Sequence, residues 1–599
     1  MTKINAFLKT FDRYRLIFII FITAYALLML IKPSLGPVDD VVLLRTLQVG
    51  KPLLYYSSGN LPYGYGDVTK LGRFSVLGAM EYNLFGLFLK SPSAFWYFLF
   101  HVFQYILLMI LLVKLLSQFT SSKFLIYMTP VLLSLTPGMT IVFFRTHLVE
   151  RNLIFYYAIF LFCFLLYLKE KKLRYLILGI ISANMAIHYK ETAFIAVGAF
   201  AFCHLILSWK KSKRGLNPIR SSTELSGCST NGSEPACSSD YSIKNVPLKT
   251  SNGARIFDGL ILLSCLAYLL LYYFIVFVHL PHNPTLYGQM PYYNVMMVTI
   301  KNLLNYGFFT DPILILILLP FAAWRICKAL RKQFEPHPVY DSMLIAALMY
   351  ILAFFILKLY GPYYLLPAYI FALPPIFYFL NQEKQRFPFF KSVTALCALI
   401  MIFNTFPTGI HYLAFYKYLY INFNKTVDFL ISDINSRYPN KRANIFIDAL
   451  DYRAGASIPY FIFSEFIQYK GLTSDRFDFK SSIKIENTDA WFRNIKEFNP
   501  PFTVFQNNNF HEAKSGDYLI VPAEATAKNI TKNYLQSLDK DYNLVFKTES
   551  LLGFPNLNLK TLVKYLLSEK LSQNQKEKGL MINENLMHWP NYYVFIKRE

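Results

Sequence analysis

The sequence predicts a polytopic α-helical membrane protein of about eleven transmembrane helices, followed by a C-terminal α/β or α+β unit. Three observations predict it. Of 599 residues, 54% are hydrophobic and 18% aromatic, with a mean hydropathy of +0.33, which soluble domains do not reach. Apolar runs long enough to cross a hydrocarbon core of about 30 Å recur from residue 15 to residue 406. Beyond Phe406 those runs stop, and polar and apolar residues mix.

The expected spans are 15–32, 94–116, 124–144, 151–168, 173–189, 192–209, 256–279, 311–330, 342–359, 363–380 and 390–406. The first run, Leu16 to Ile31, has no small-residue cleavage site after it and reads as a retained span. Prolines 130, 137, 320, 367, 374 and 375 interrupt several spans, which lipid tolerates only where neighbours or water take up the freed carbonyls.

Charge sets the orientation. The formal net charge is +24, but residues 407–599 hold 24 Lys and Arg against 20 Asp and Glu, a difference of +4. The remaining +20 lies in 1–406 and concentrates in alternate loops: 25 of its 36 basic residues flank the segments expected inside. That places the N-terminus in the cytoplasm and 407–599 outside. It also speaks against a nucleic-acid partner, since the charge marks sidedness rather than a basic patch.

The inner loop 210–255 opens with KKSKR and is rich in Ser, Gly, Asn and Pro, the composition of a flexible linker. Its Cys228 and Cys237 are nine residues apart, and the other five cysteines lie scattered in apolar runs. No disulfide framework or zinc spacing emerges.

In 407–599, strand-like runs fall at 444–450, 502–506, 517–523, 542–548 and 592–597, with helical patterns at 422–436 and 527–538. The segment contains no phosphate-cradling glycine loop and no nucleophile elbow, so a modulating role is expected of it.

Charged residues at the outer ends of spans are the informative set, because charge beside hydrocarbon is costly and faces a cavity more often than lipid. Four groups stand there. Asp39 and Asp40 follow the first span. Arg73 and Glu81 lie in KLGRFSVLGAMEYN, within the long first outer loop 33–93. Arg145, His147, Glu150 and Arg151 lie in FFRTHLVERN, and His188, Lys190 and Glu191 in HYKETAF. By chemistry the carboxylates and histidines suit a base, an orienting group or a divalent cation, and the cations suit a phosphate.

These motifs resemble those of polyprenyl-phosphate-dependent glycosyltransferases of the GT-C superfamily, the group that includes protein O-mannosyltransferases and lipid A aminoarabinose transferases. The resemblance rests on the acidic pair after the first span, GRF…EYN in the first loop, THLVERN, YKE at 189–191, and YYLLPAY at 363–369. It covers roughly 1–406. Before the tyrosines of the last motif the family usually has an Arg, where this chain has GP.

The resemblance implies a GT-C-like catalytic unit at 1–406 and an extracytoplasmic unit at 407–599. It implies transfer of a sugar from a polyprenyl phosphate to an acceptor lipid, glycan or protein, with inversion, at the outer face of a bacterial plasma membrane. Carried over, Asp39 is the base, and Asp40 orients the acceptor or helps bind a cation. Arg73, Arg145 and Lys190 hold the donor phosphate. Glu81 and His147 are metal ligands in members that use a divalent metal, and Glu150, His188 and Glu191 complete the metal-or-orienting set. Two other readings stay open at this point: a transporter or flippase of a lipid-linked glycan, and a non-catalytic envelope assembly protein. Against the first stand the absence of evident inverted repeats and charges gathered at one face instead of the midplane.

The orientation is directly testable. Cys228 and Cys237 are expected to react with a membrane-impermeant maleimide only after the inner face is opened. Labelling of either in intact cells reverses the orientation and moves the charged groups to the cytoplasm.

Overall fold

The computed structural model describes residues 12–37, 40, 44, 74, 76–78, 81, 84–85, 93–146, 148–214, 252–279, 300, 304, 306–307, 311–331, 337–356, 361–382, 388–448, 457–480, 512–521, 532–549, 557–559, 562 and 591–599. Among them, seven helices are long and apolar enough to cross a membrane, or eight if one bent pair counts as a span. The chain is multi-pass. The expected eleven spans all begin as apolar runs, but several become shorter or broken helices.

Helix α1 (Arg13–Leu30) starts at Asp12, whose carboxylate accepts the Tyr14 N–H at 3.0 Å. Asp12 also pairs with Lys123 at 2.9 Å, tying the N-terminal end of α1 to the start of α3 (Lys123–Ser134). Between them α2 (Ala94–Leu116) crosses back. The expected span 124–144 is two helices, α3 and α4 (Pro137–Phe144), bent by 62°. Pro137 explains the break: it removes a donor and clashes with the preceding turn, yet suits the first turn of a new helix that Thr136 caps.

Helices α5 (Glu150–Glu170), α6 (Leu173–Tyr189) and α7 (Ala193–Arg214) follow with tight turns. Lys171, at φ 54°, makes the left-handed turn after α5. Helix α8 is Asn252–Ile275. A π-helical turn at Ile313–Leu318 leads into α9 (Leu319–Leu330), and α10 is Pro338–Ile356. The expected span 363–380 divides into α11 (Pro362–Leu365) and α12 (Ala368–Gln382), where Pro367 and the Pro374–Pro375 pair remove donors.

Phe406 marks no break in the backbone. Helix α13 (Pro388–Ile400), a π-helical turn at Met401–Thr405, and α14 (Phe406–Arg437) run on as a span of 46 residues, Ser392–Arg437. At 1.5 Å per residue that is roughly 70 Å, about twice a hydrocarbon core. The change of composition at 406 is a change of surroundings along one rod.

The far half of α14 lies under a five-stranded sheet of order β2–β1–β3–β5–β4. Strands β1 (Ala443–Ile447), β2 (Phe477–Lys480) and β3 (Tyr518–Val521) are parallel neighbours, with Ile445 opposite both Phe479 and Tyr518. Strand β5 (Tyr593–Lys597) is antiparallel to β3 and to β4 (Tyr542–Lys547). Helix α15 (Ser457–Tyr469) lies between β1 and β2 in the chain. The mixed sheet fits the α/β expectation. The short β2 went unanticipated, and the expected strand at 502–506 lies outside the described residues.

Two apolar cores result. One unites the membrane helices. The other joins Phe423, Val427 and Leu430 of α14 to the sheet and α15, and it takes in Leu35, Leu44 and Tyr97 from the far side of the chain.

At the end of the bundle where α7 and α9 finish, the helices are tied by buried polar pairs. Arg325 of α9 meets Asp341 of α10 at 2.8 and 2.6 Å in a two-pronged pair. His204 of α7 lies 2.7 Å from Asp258 of α8. Removing one partner of such a pair strands a buried charge, at a cost of about 3–5 kcal/mol. Arg325→Met should therefore lower the unfolding midpoint in detergent, and adding Asp341→Leu should recover most of the loss. A single variant as stable as the wild type would show that the pair is solvated.

Candidate active site

Four chain segments bring their polar residues to one end of the bundle: the C-terminal ends of α1, α4 and α6, and the first turn of α5. Alternating helix directions require these ends to share a side, so the groups that lie far apart in sequence meet there.

Arg151 is at the centre, with no solvent exposure. Its Nε donates to Gln104 Oε1 of α2 at 2.8 Å, Nη1 to the Thr146 carbonyl at 3.1 Å, and Nη2 to Glu81 Oε1 at 3.3 Å. Asn152 bridges the same partners: it donates to Glu81 Oε1 at 2.6 Å and accepts from Gln104 Nε2 at 2.6 Å. The Tyr189 hydroxyl donates to the other Glu81 oxygen at 3.2 Å. Burial pushes the Glu81 carboxyl above the usual carboxylate range, against the opposing pull of Arg151 and of the hydrogen bonds from Asn152 and Tyr189.

Asp40 is fully buried. One carboxylate oxygen accepts from the Thr146 hydroxyl, and the other accepts the Gly36 N–H at 2.7 Å. The turn that holds it is fixed from behind by α14. Asn424 donates to the Leu35 carbonyl at 2.7 Å, and Lys417 to the Met29 carbonyl at 3.3 Å. Gly36 lies against the Tyr420 ring with no room for a side chain.

Lys190 follows α6 and pairs with Glu150 at the start of α5. Its ammonium lies 4.7 Å from the Tyr364 ring centroid and 5.5 Å from that of Phe354, a cation–π cradle. Arg145, also largely buried, is 5.8 Å from the Tyr416 ring of α14. His188 is partly buried, and its Nδ1 lies 2.8 Å from the Asn184 carbonyl. A carbonyl only accepts, so Nδ1 carries a proton, and in the neutral ring Nε2 is the lone-pair nitrogen. The His188 carbonyl accepts the Leu77 N–H at 2.9 Å, and Tyr268 of α8 donates to the Phe74 carbonyl at 2.7 Å. The first-loop segment that carries Glu81 is held by both bonds. Glu191 is partly exposed in the turn between α6 and α7.

Of the residues expected from sequence, Asp40, Glu81, Arg145, Glu150, His188, Lys190 and Glu191 are placed. Asp39, Arg73 and His147 lie outside the described residues. Thr146 and Asn152 in THLVERN and Tyr189 in YKE were given no role, and Gln104 and Asn424 were not singled out, because uncharged amides and hydroxyls give no charge signal. Gln104 does stand as a lone polar residue within an apolar stretch, a signal that was available.

Among the described residues no three His, Cys, Asp or Glu side chains gather to hold a metal ion. Glu81 already accepts from three side chains, which fits the orienting alternative better than metal ligation. Glu81→Gln should cost about 1.5–3 kcal/mol of stability by losing its charge-assisted bond to Arg151. The loss should be the same in chelator and in millimolar divalent cation. A loss seen only in the presence of the cation would make Glu81 a ligand.

No protein-family model and no curated protein matches the chain. Among solved structures it is similar to archaeal oligosaccharyltransferase AglB from Archaeoglobus fulgidus in complex with an inhibitory peptide and a dolichol-phosphate. Identity there is 11% and the TM-score 0.37, over 97% of this chain and 88% of that one. It is similar also to an Archaeoglobus fulgidus oligosaccharyltransferase complex with Zn and sulfate, at 12% identity and a TM-score of 0.40, covering 96% and 88%. A third, tethered with an acceptor peptide containing the NVT sequon, has 13% identity and a TM-score of 0.38, covering 90% and 73%. At these values the chain's own residues carry the functional reading.

Proposed function

We propose that the chain is a membrane glycosyltransferase of GT-C type. It moves a sugar from a polyprenyl-phosphate-linked donor to an acceptor hydroxyl on a lipid, glycan or protein. The transfer takes place, with inversion, at the outer face of a bacterial plasma membrane. The catalytic unit is 1–406, with 210–255 as a cytoplasmic linker and 407–599 as the outer unit. The observation that supports it most is the meeting of Asp40, Glu81, Arg145, Glu150, Arg151 and Lys190 at one end of the bundle, from positions up to 150 residues apart.

Asp39 takes the proton of the acceptor hydroxyl as its oxygen attacks the anomeric carbon, and the bond from that carbon to the donor phosphate oxygen breaks. Negative charge then grows on the departing lipid phosphate, where Arg73, Arg145 and Lys190 supply fixed positive charge. The aromatic cradle keeps the Lys190 ammonium poorly hydrated, which strengthens its attraction for a phosphate oxygen in competition with Glu150. Asp40 orients the acidic turn, and Glu81 orients Arg151. His147, Glu150, His188 and Glu191 orient the groups around them. The archaeal structures named above contain a dolichol-phosphate or an acceptor peptide; a lipid-linked donor and an acceptor are the partners expected here.

Asp39→Asn separates geometry from proton transfer, because Asn has the same shape and cannot accept a proton. The variant should insert and bind donor normally yet transfer sugar about a hundredfold more slowly, the low end of what a positioned base contributes. Asp40→Asn should slow turnover as well. Full activity in both, on a donor that the wild type uses, means that the acidic pair takes no part and that the reading is wrong.

A further inference from the structure

The segment 145–149 lies between α4 and α5, and Thr146 within it touches the acidic turn. Thr146 has no solvent exposure. Its hydroxyl donates to one oxygen of Asp40, and its carbonyl accepts from Nη1 of Arg151. The segment is held at both ends as well: the Arg145 N–H bonds back to Ile141, and the Arg151 N–H to Leu148. A hydroxyl bonded to a carboxylate is among the stronger hydrogen bonds, and a β-branched side chain loses few rotamers in making it.

We propose that Thr146 is a positioning residue for the transfer reaction, acting through Asp40; this rests on the function proposed above. The two oxygens of Asp40 are held by separate donors, one by the Thr146 hydroxyl and the other by the Gly36 amide. Two such bonds fix both the direction and the plane of the carboxylate. They thereby anchor Asp40, whose neighbour in the sequence is Asp39. Glu81, Arg151, Thr146 and Asp40 then form one unbroken line of contacts, in which the guanidinium sets the Thr146 backbone and its hydroxyl sets the acidic turn.

A double-mutant cycle on the full chain in lipid nanodiscs tests this. The probes are polyprenyl-phosphate-linked mannose, glucose, galactose and aminoarabinose, radiolabelled in the sugar, with water or a long-chain alcohol as acceptor. Thr146→Val keeps the shape and removes the hydroxyl; it should lower kcat about tenfold with donor KM within about twofold. Thr146→Ser restores the hydroxyl and should return to within about threefold of wild type. Because Thr146 acts through Asp40, adding Thr146→Val to Asp40→Asn should slow the enzyme by no more than about twofold further. Where Thr146→Val fails to insert, Thr146→Ala takes its place in the cycle. The inference is overturned by a wild-type rate in Thr146→Val, by a Ser variant as slow as the Val variant, or by losses that multiply in the double variant. Wild-type chain that transfers none of the four sugars overturns the proposed function and this inference together.

Discussion

A guanidinium with no access to water has to find its hydrogen-bond acceptors within the protein, and the placement of Arg151 governs much of this molecule. The three acceptors of its guanidinium come from α2, from the first long loop and from the turn between α4 and α5. Any packing of those segments that moved one acceptor away would leave a charge stranded in a low dielectric, at a cost of several kcal/mol. The arrangement is therefore selected sharply among compact alternatives. Purely apolar contacts between the same helices would tolerate small slips that this network does not.

The acidic turn depends on two bodies at once. From the bundle, Thr146 and the Arg151 network fix the carboxylate of Asp40. From the other side, α14 supplies Asn424, Lys417 and the Tyr420 ring, while Leu35 and Leu44 join the same core as the sheet. The apolar core that joins α14 to the sheet includes residues on both flanks of Asp40. Modulation thus has a physical route: whatever alters the packing of α14 alters the wall behind the acidic turn.

Much of this was legible in the sequence, and the reasons for success and failure are physical. Apolar length named the helical membrane architecture, because the cost of putting polar groups in hydrocarbon leaves a strong compositional trace. The same rule flagged Asp40, Glu81, Glu150 and Lys190, whose charges are costly at helix ends. It overlooked Thr146 and Asn152, since a hydroxyl or an amide is cheap enough to occur anywhere. Hydropathy hid the places where a proline interrupts a helix without changing the composition, as at Pro137 and Pro367. The continuity of α13 and α14 through Phe406 was hidden for the opposite reason. Hydropathy changes there while helix geometry does not, and composition reports the medium and not the backbone.

The bonds from α14 to the acidic turn have a temporal side. Asn424 meets the Leu35 carbonyl across 389 residues of chain, and Lys417 meets Met29 across 388. A ribosome adding about 5–20 residues per second needs roughly 20–80 s to make that much polypeptide. During that interval α1 and the residues around Asp40 are already at the membrane, while the rod that braces them does not yet exist. The bundle side of the clasp, Thr146 and Arg151, arrives first, and the α14 side arrives only after the last membrane segment has been made. Competence at this site is thus a late event in the life of the chain, and a nascent protein stalled before α14 has its acidic turn held from one side alone.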